Sequence, residues 1–470
     1  VDPENRNEKD NEANRHRVIR GGSWFLGPLG SRSSARAFYD QPAAACYLGF
    51  RVVREATDQE ASRFENPHAV WSAAKKQVEA AGGNFYSLNR IPHVRFDENV
   101  TADDLVALSQ LPGVHRIQRL RAEPFTQAHI DALARMSGLE HLQISRDIGL
   151  GDGDLSGLGS LARLSELSLG NENGLTDKHV EQLGGLTSLV TFQIGGLNGR
   201  FSDAGLRRLN RNRKLRELRL YEVSIDGSFL DAFEGIPLRS LTVHRRAHDE
   251  AASWDDTSST LLAKTVPHLT SLSFNRQLIT DAGLVGLEKL SRLNRLDLGE
   301  CPNLSEEAVA RLLASSPRLS DLTLRSVEAG DRVAAQIPRI YFLKRFRINS
   351  KLLTDRGMEQ IARSRTLVEL EFGDGCANIT PAGVGRLGLM PNLEKLRLSG
   401  SGMIGEGIEG LARAPALKDF SFHGEGLCEE LIETLSRLKH LEKIEIRGGD
   451  FETWKPKIEQ AAPAARILKR

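Results

Sequence analysis

Cysteine, histidine, arginine and the acids carry whatever chemistry this chain can perform, and their spacing is the first test. The cysteines are Cys46, Cys301, Cys376 and Cys428, and no two form a Cys-x-x-Cys pair of the kind that holds zinc. The densest run of reactive types is His244-Arg245-Arg246-Ala247-His248-Asp249-Glu250, followed by Trp254-Asp255-Asp256. Nothing in the sequence fixes the mutual geometry of these groups, so a solvated loop is expected. The segment from Gly149 to Gly159 is glycine-rich, with Asp152 and Asp154. A phosphate cradle would need a lysine at its end, and a calcium loop more acids at alternate positions. A long turn is the reading that fits. The sequence therefore points to no catalytic residue, no metal and no cofactor, and leaves a binding surface.

The candidates for that surface are Arg219, Tyr221, His244, Arg325, Arg345, Arg347, Arg397 and His423. A repeat places them. The pattern apolar-x-x-apolar-x-apolar, as in Leu293-Asn294-Arg295-Leu296-Asp297-Leu298, starts at Leu139, Leu164, Leu189, Leu215, Leu238, Leu269, Leu293, Leu319, Leu343, Leu367, Leu393, Leu417 and Leu441, with weaker copies at Ile91 and Val114. Steps of 23 to 26 residues, with one of 31 from Leu238 to Leu269, signal a solenoid. Leu296 and Leu298 alternate with Asp297, so a short strand turns two side chains inward and one outward. Arg219, Arg347 and Arg397 are such outward residues. Tyr221, His244, Arg325 and His423 take the next outward position. Arg219, Tyr221 and His244 come from neighbouring units, and Arg325, Arg345 and Arg347 form a basic group.

After the strand a second piece recurs, as in Ile279-Thr280-Asp281-Ala282-Gly283-Leu284 and Leu353-Thr354-Asp355-Arg356-Gly357-Met358. Thr before Asp marks a helix start. Prolines such as Pro267, Pro317 and Pro391 sit just before strands, where they end helices. The unit after Leu319 replaces the Thr-Asp piece with Gly330-Asp331, and the second weak copy breaks pattern at Arg119. Each unit is thus strand, turn, helix and return, with right-handed crossovers. Over residues 84–450 the motif resembles the leucine-rich repeat, in its helix-bearing ribonuclease-inhibitor-like or cysteine-containing-like forms. The resemblance implies an α/β solenoid with a parallel concave sheet and convex helices. Strands about 4.8 Å apart put Cys301 and Cys376 roughly 14 Å from one another, so both are expected as buried free thiols.

Residues 1–17 are polar. Further on stand Val18-Ile19-Arg20-Gly21-Gly22-Ser23-Trp24, Ser34-Ala35-Arg36 and Leu48-Gly49-Phe50-Arg51-Val52-Val53-Arg54. In this order and spacing they resemble the C-terminal end of the formylglycine-generating enzyme (sulfatase-modifying factor) family, whose domain is C-type-lectin-like. In active members two cysteines after the Arg-Gly-Gly-Ser segment bind copper. Leu26 holds the first of those positions, no cysteine lies between Arg20 and Ala45, and Cys46 comes too late. The expected organisation is a truncated fragment of that kind over 1–54, and a linker over 55–83 whose helix at 68–81, with Trp71, caps the solenoid. The repeats follow over 84–450, and a C-terminal cap and tail over 451–470.

The chain has 470 residues and a net charge of +1, so no global field draws it to nucleic acid or membrane. No apolar run approaches the roughly 20 residues of a membrane span. The strands show no basic stripe with interleaved aromatics, so a protein partner is expected and nucleic acid is not. Free cysteines favour the cytoplasm, and oligomeric state is left open. The leading expectation is a non-catalytic protein-interaction scaffold acting through its concave face. One alternative is the substrate-presenting part of a sulfatase-modifying-factor-like enzyme. Another is the regulatory C-terminal region of a polypeptide whose catalytic domain precedes Val1.

Overall fold

The computed structural model describes residues 17–20, 36–39, 52–55, 76, 78–80, 82–88, 91–96, 99–110, 114–120, 122, 125–144, 153–170, 174–195, 201–246, 253–448 and 451–469. They fall into two compact units, Val1–Ala122 and Glu123–Arg470.

In the first unit, strands Arg17–Arg20, Arg36–Tyr39 and Val52–Glu55 form an antiparallel sheet with Arg17–Arg20 in the middle. Trp24, Leu26 and Cys46 lie outside the described residues. So does Trp71, and the expected capping helix is described as helical only at residues 76 and 78–80. Gly83–Leu88 and Ile91–Phe96 pair as an antiparallel hairpin. A helix, Ala102–Ser109, begins at Thr101, where a reciprocal cap forms. Asp104 N donates to Thr101 Oγ1 at 3.2 Å, and Thr101 N donates to Asp104 Oδ2 at 2.9 Å. Strand Arg116–Leu120 then pairs parallel to Ile91–Phe96. Its break in pattern has a backbone cause. Arg119 adopts φ 53°, which turns Leu120 inward in place of residue 119 and buries it fully.

The second unit is built on strands from His141–Ile144 to Arg466–Lys469, each parallel to the next. Register sets motif leucine against motif leucine: Leu218 opposite Leu241, then Leu272, Leu296 and Leu322. All are buried, as is Leu370. Each such side chain contributes about 1.5–3 kcal/mol. No single unit could bury them, so the core exists only between neighbours. The 31-residue unit is anchored in the same way. Trp254 is fully buried, 5.0 Å from the ring of Phe274 and 6.3 Å from that of Phe229. Residues 247–252 of the His/Arg/acid run lie outside the described residues.

Helices in this unit range from the 4 residues of Ser156–Gly159 to the 11 of Phe451–Ala461. In two units without the Thr-Asp piece, 3-10 turns stand in, at Ser228–Phe233 and Ile408–Arg413. Both begin at a glycine in the left-handed region, Gly227 at φ 89° and Gly407 at φ 104°.

The Thr-Asp-x-Gly piece does more than start a helix. Thr280 Oγ1 accepts from Ala282 N at 3.3 Å, capping its own helix. The same hydroxyl donates to Asp256 Oδ2 of the preceding unit at 2.7 Å, and Thr280 N donates to Asp256 Oδ1 at 2.8 Å. The bond recurs from Ser202 to Asp177, Ser305 to Asp281, Thr354 to Asp331 and Thr380 to Asp355. It also explains the glycine. A Cβ on Gly283 would stand 2.5 Å from Asp256 Oδ1, and one on Gly205 the same distance from Asp177 Oδ1. The carboxylate occupies the space a side chain would need.

Two variants test this pairing. Asp256→Ala is expected to lower stability by about 1–3 kcal/mol, from two charge-assisted bonds lost. Gly283→Ala is expected to destabilise through the clash. In the double variant the carboxylate part of the clash is gone, so the two single losses sum to more than the observed one, by at least about 0.5 kcal/mol. Urea midpoints of the four proteins measure this; strict additivity contradicts it.

Candidate functional site

Period-two alternation leaves one face of the sheet open, and the registered ladder sets its outward residues side by side. Tyr221 is the partner of His244, which is the partner of Asn275. The Tyr221 and His244 rings meet edge to face, 5.0 Å between centroids. His244 Nε2 lies 3.2 Å from Ser273 Oγ. Burial, followed by the charges of Arg325 and Arg276, pushes the imidazole down to about 4. At neutral pH it is therefore uncharged. Arg219, on the strand of Tyr221, pairs with Glu217 at 2.7 Å and reaches Gln193 at 3.4 Å.

The expected basic group does assemble, but it is not free. Arg325 pairs with Asp297 at 3.1 Å. Arg345 pairs with Asp321 at 2.8 Å, and Arg347 approaches the same carboxylate at 3.7 Å. Arg295 reaches it from the other side at 3.4 Å. Arg347 also holds Glu369 at 2.8 Å and Glu371 at 3.2 Å, and Glu371 passes the chain on to Arg397 at 3.3 Å. The result is a lattice of alternating charge. Its organising member is Asp321, whose side chain is only 7% exposed. Burial raises the Asp297 carboxyl even with Arg325 beside it. Arg397 Nε is buried without a hydrogen-bond acceptor, next to a hollow of about 30 Å³ lined by Glu371, Lys395, Asp419 and Ser421.

His423 stands on the strand next to that of Arg397, 3.8 Å from the buried Glu445, which Lys443 holds at 2.9 Å. Burial and then Arg397 lower its pKa. Arg276, Glu300 and Ser326, just past their strands, and Glu222, at a shift of register within its own, all take positive φ. There Arg276 bridges Glu300 at 2.8 Å and Glu222 at 3.9 Å.

Sequence reasoning missed Glu217, Asp321 and Glu369. Each lies two residues before the middle outward position of its strand, held by Arg219, Thr323 and Glu371, so the same alternation marks them too. Cys301 and Cys376 are free and buried. Burial pushes the Cys301 thiol up to about 12 and raises that of Cys376, so neither is a nucleophile at neutral pH. Among the described residues, no group of three or more His, Cys, Asp and Glu is placed to hold a metal, and no helix is long and apolar enough to cross a membrane.

Stacked parallel strands, one per repeat, each burying the leucines of its motif and followed by a short helix or 3-10 turn, define a leucine-rich-repeat solenoid. No protein-family profile matches the chain, and no curated protein matches it. The resemblance of residues 18–54 to the sulfatase-modifying factor family thus gains no support. Solved structures do match. An internalin from Listeria monocytogenes shares 17% identity at TM-score 0.40, over 75% of this chain and 93% of that one. A leucine-rich-repeat protein from Leptospira interrogans shares 14% at 0.46, over 84% and 98%. TLR13, in a complex with ssRNA13, shares 18% at 0.46, over 78% of this chain and 54% of that one.

The depressed His244 pKa has a consequence for stability. Below pH 6.5 an unfolded chain binds a proton that folded His244 refuses until about pH 4. The stability present at neutral pH is therefore lost as pH falls through that window. Urea midpoints recorded from pH 7 to 4 are expected to fall less steeply for His244→Gln than for the parent; parallel profiles would place the proton uptake elsewhere.

Proposed function

We propose that the chain is a non-catalytic scaffold that binds a protein partner across the open face of the sheet. The observation that carries this reading is the ion-paired lattice centred on Asp321 and Arg347, with Tyr221 and His244 standing on the same face. Fixed positive and negative groups at known pitch give a surface selective for a partner of complementary charge order. Arginine and tyrosine are the side chains most often found at energetic centres of such contacts. Arg219, Arg325, Arg345, Arg397 and His423 are proposed as further contacts. The partner implied carries acids and bases of its own, because a uniformly acidic or basic surface would meet repulsion every second strand.

A second reading draws on the antiparallel sheet of residues 17–20, 36–39 and 52–55, whose strands carry the segments that resemble the sulfatase-modifying factor family. In that reading the repeats present substrate, or regulate a catalytic domain. Mass spectrometry of a cysteine-containing sulfatase peptide after incubation with the chain decides it, since formylglycine would sink the non-catalytic assignment.

The scaffold reading is tested with a photo-cross-linking amino acid at Gln193 or Ser273, on the open face, and at Arg356 on a helix as control. Face positions are expected to capture a partner that the control does not. Arg347→Gln is expected to weaken that partner by about fivefold or more. Capture only at the control position would refute the proposal.

A further inference from the structure

Parallel pairing brings the N-terminal ends of the second unit's strands to one edge of its sheet. The stretches leading from each helix into the next strand line this leading edge. From Arg135 to Glu442 they carry Lys or Arg in most units, and carboxylates only at Glu140, Glu234, Glu288, Glu394 and Glu442. Acids gather instead at the trailing edge, where strands run out toward helix starts: Asp177, Asp203, Asp256, Asp281, Asp331 and Asp355. A net charge of +1 hides two edges of opposite sign.

The two edges have different causes. The trailing acids accept hydrogen bonds from the next unit, so the fold accounts for them. Bases near helix C-termini are favoured by the helix dipole. Arg292, Arg318, Lys344 and Arg365 lie past the last helical residue, are exposed, and form no ion pair among the described residues. Between them protrude Tyr341, 75% exposed, and Phe342, 62% exposed. Register interleaves the two kinds. Arg292, Arg318 and Phe342 each precede the motif leucine of successive units, while Tyr341 and Arg365 stand two residues before theirs. Neighbouring units are about 4.8 Å apart, so cations flank the aromatic pair on both sides.

We propose that this stretch of the leading edge binds single-stranded nucleic acid, with phosphates against Arg292, Arg318, Lys344 and Arg365 and bases against Tyr341 and Phe342. A row of cations suits a linear polyanion, and exposed rings suit base stacking. Arginine predominates, and its planar fork meets phosphate oxygens two at a time. An anionic membrane fits less well, because two rings and Leu389 offer little apolar area to insert. An acidic protein would leave the rings without a role. The basic stripe that the strands lack thus runs through the segments between them.

Fluorescence anisotropy of the full chain with labelled oligouridylate and oligothymidylate tests the proposal, with phosphatidylserine vesicles as the competing surface. Binding of either oligomer is expected, weakening as salt rises. Arg292→Gln/Arg318→Gln/Arg365→Gln is expected to make the log–log salt slope shallower by about 2. Tyr341→Ala/Phe342→Ala is expected to weaken binding about tenfold at unchanged slope, whereas Tyr341→Trp tightens it. All five side chains are exposed, so urea midpoints should match the parent's. No oligomer bound, binding indifferent to both sets of substitutions, or vesicles bound in place of oligomers would each overturn it.

Discussion

The structure depends on a carboxylate that serves the unit after its own. Asp256, Asp281, Asp331 and Asp355 each sit at the start of a helix and accept a backbone N–H and a hydroxyl from the next repeat. Buried leucines give the stack its cohesion, but apolar contact is tolerant of small slips. The carboxylate is not, because its bonds are directional and their length is fixed. It therefore sets how one unit lies on another, and the strand register follows. Without constant register the outward side chains of successive strands would not align, and neither the Asp321 lattice nor the Tyr221–His244 contact would form.

The same register distributes charge by position in the unit. Middle positions of the strands pair into an almost neutral lattice. The segments leading from helix to strand collect bases, and helix beginnings collect acids. A surface of this kind offers distinct chemistry to partners approaching the face and the edges, though the whole chain is close to neutral.

Much of the architecture was legible in the sequence because its signal is periodic. The motif leucines, from Leu139 to Leu441, mark strands that the structure contains, and Leu296 and Leu370 face inward as alternation requires. What was not legible depends on contacts one repeat away. Thr280-Asp281-Ala282-Gly283 reads as a helix cap, and it is one. That Gly283 makes room for Asp256 requires knowing that residues 27 apart touch. Arg325, Arg345 and Arg347 looked like a basic group because only their own strands were compared with one another for bases, whereas their carboxylate partners stand across the ladder. Arg119 concealed its strand's register because a left-handed backbone angle leaves no mark on composition. The cluster around Tyr341 is scattered over units some two dozen residues apart, so no local window contains it.

The unit that begins its helix at Glu306 departs from the rule in an instructive way. Its longer side chain reaches past the place where a hydroxyl would stand and accepts directly from the backbone N–H groups of Gly330, at 3.1 Å, and Arg332, at 2.7 Å. Its follower accordingly offers Gly330 at the position where Ser202, Thr280, Ser305, Thr354 and Thr380 stand in their units. Donor and acceptor are thus matched pairwise down the array, and the repeats are not interchangeable modules. Placing a threonine-bearing unit after Glu306 would set a long acid against a hydroxyl. The order of the units is written into their junctions.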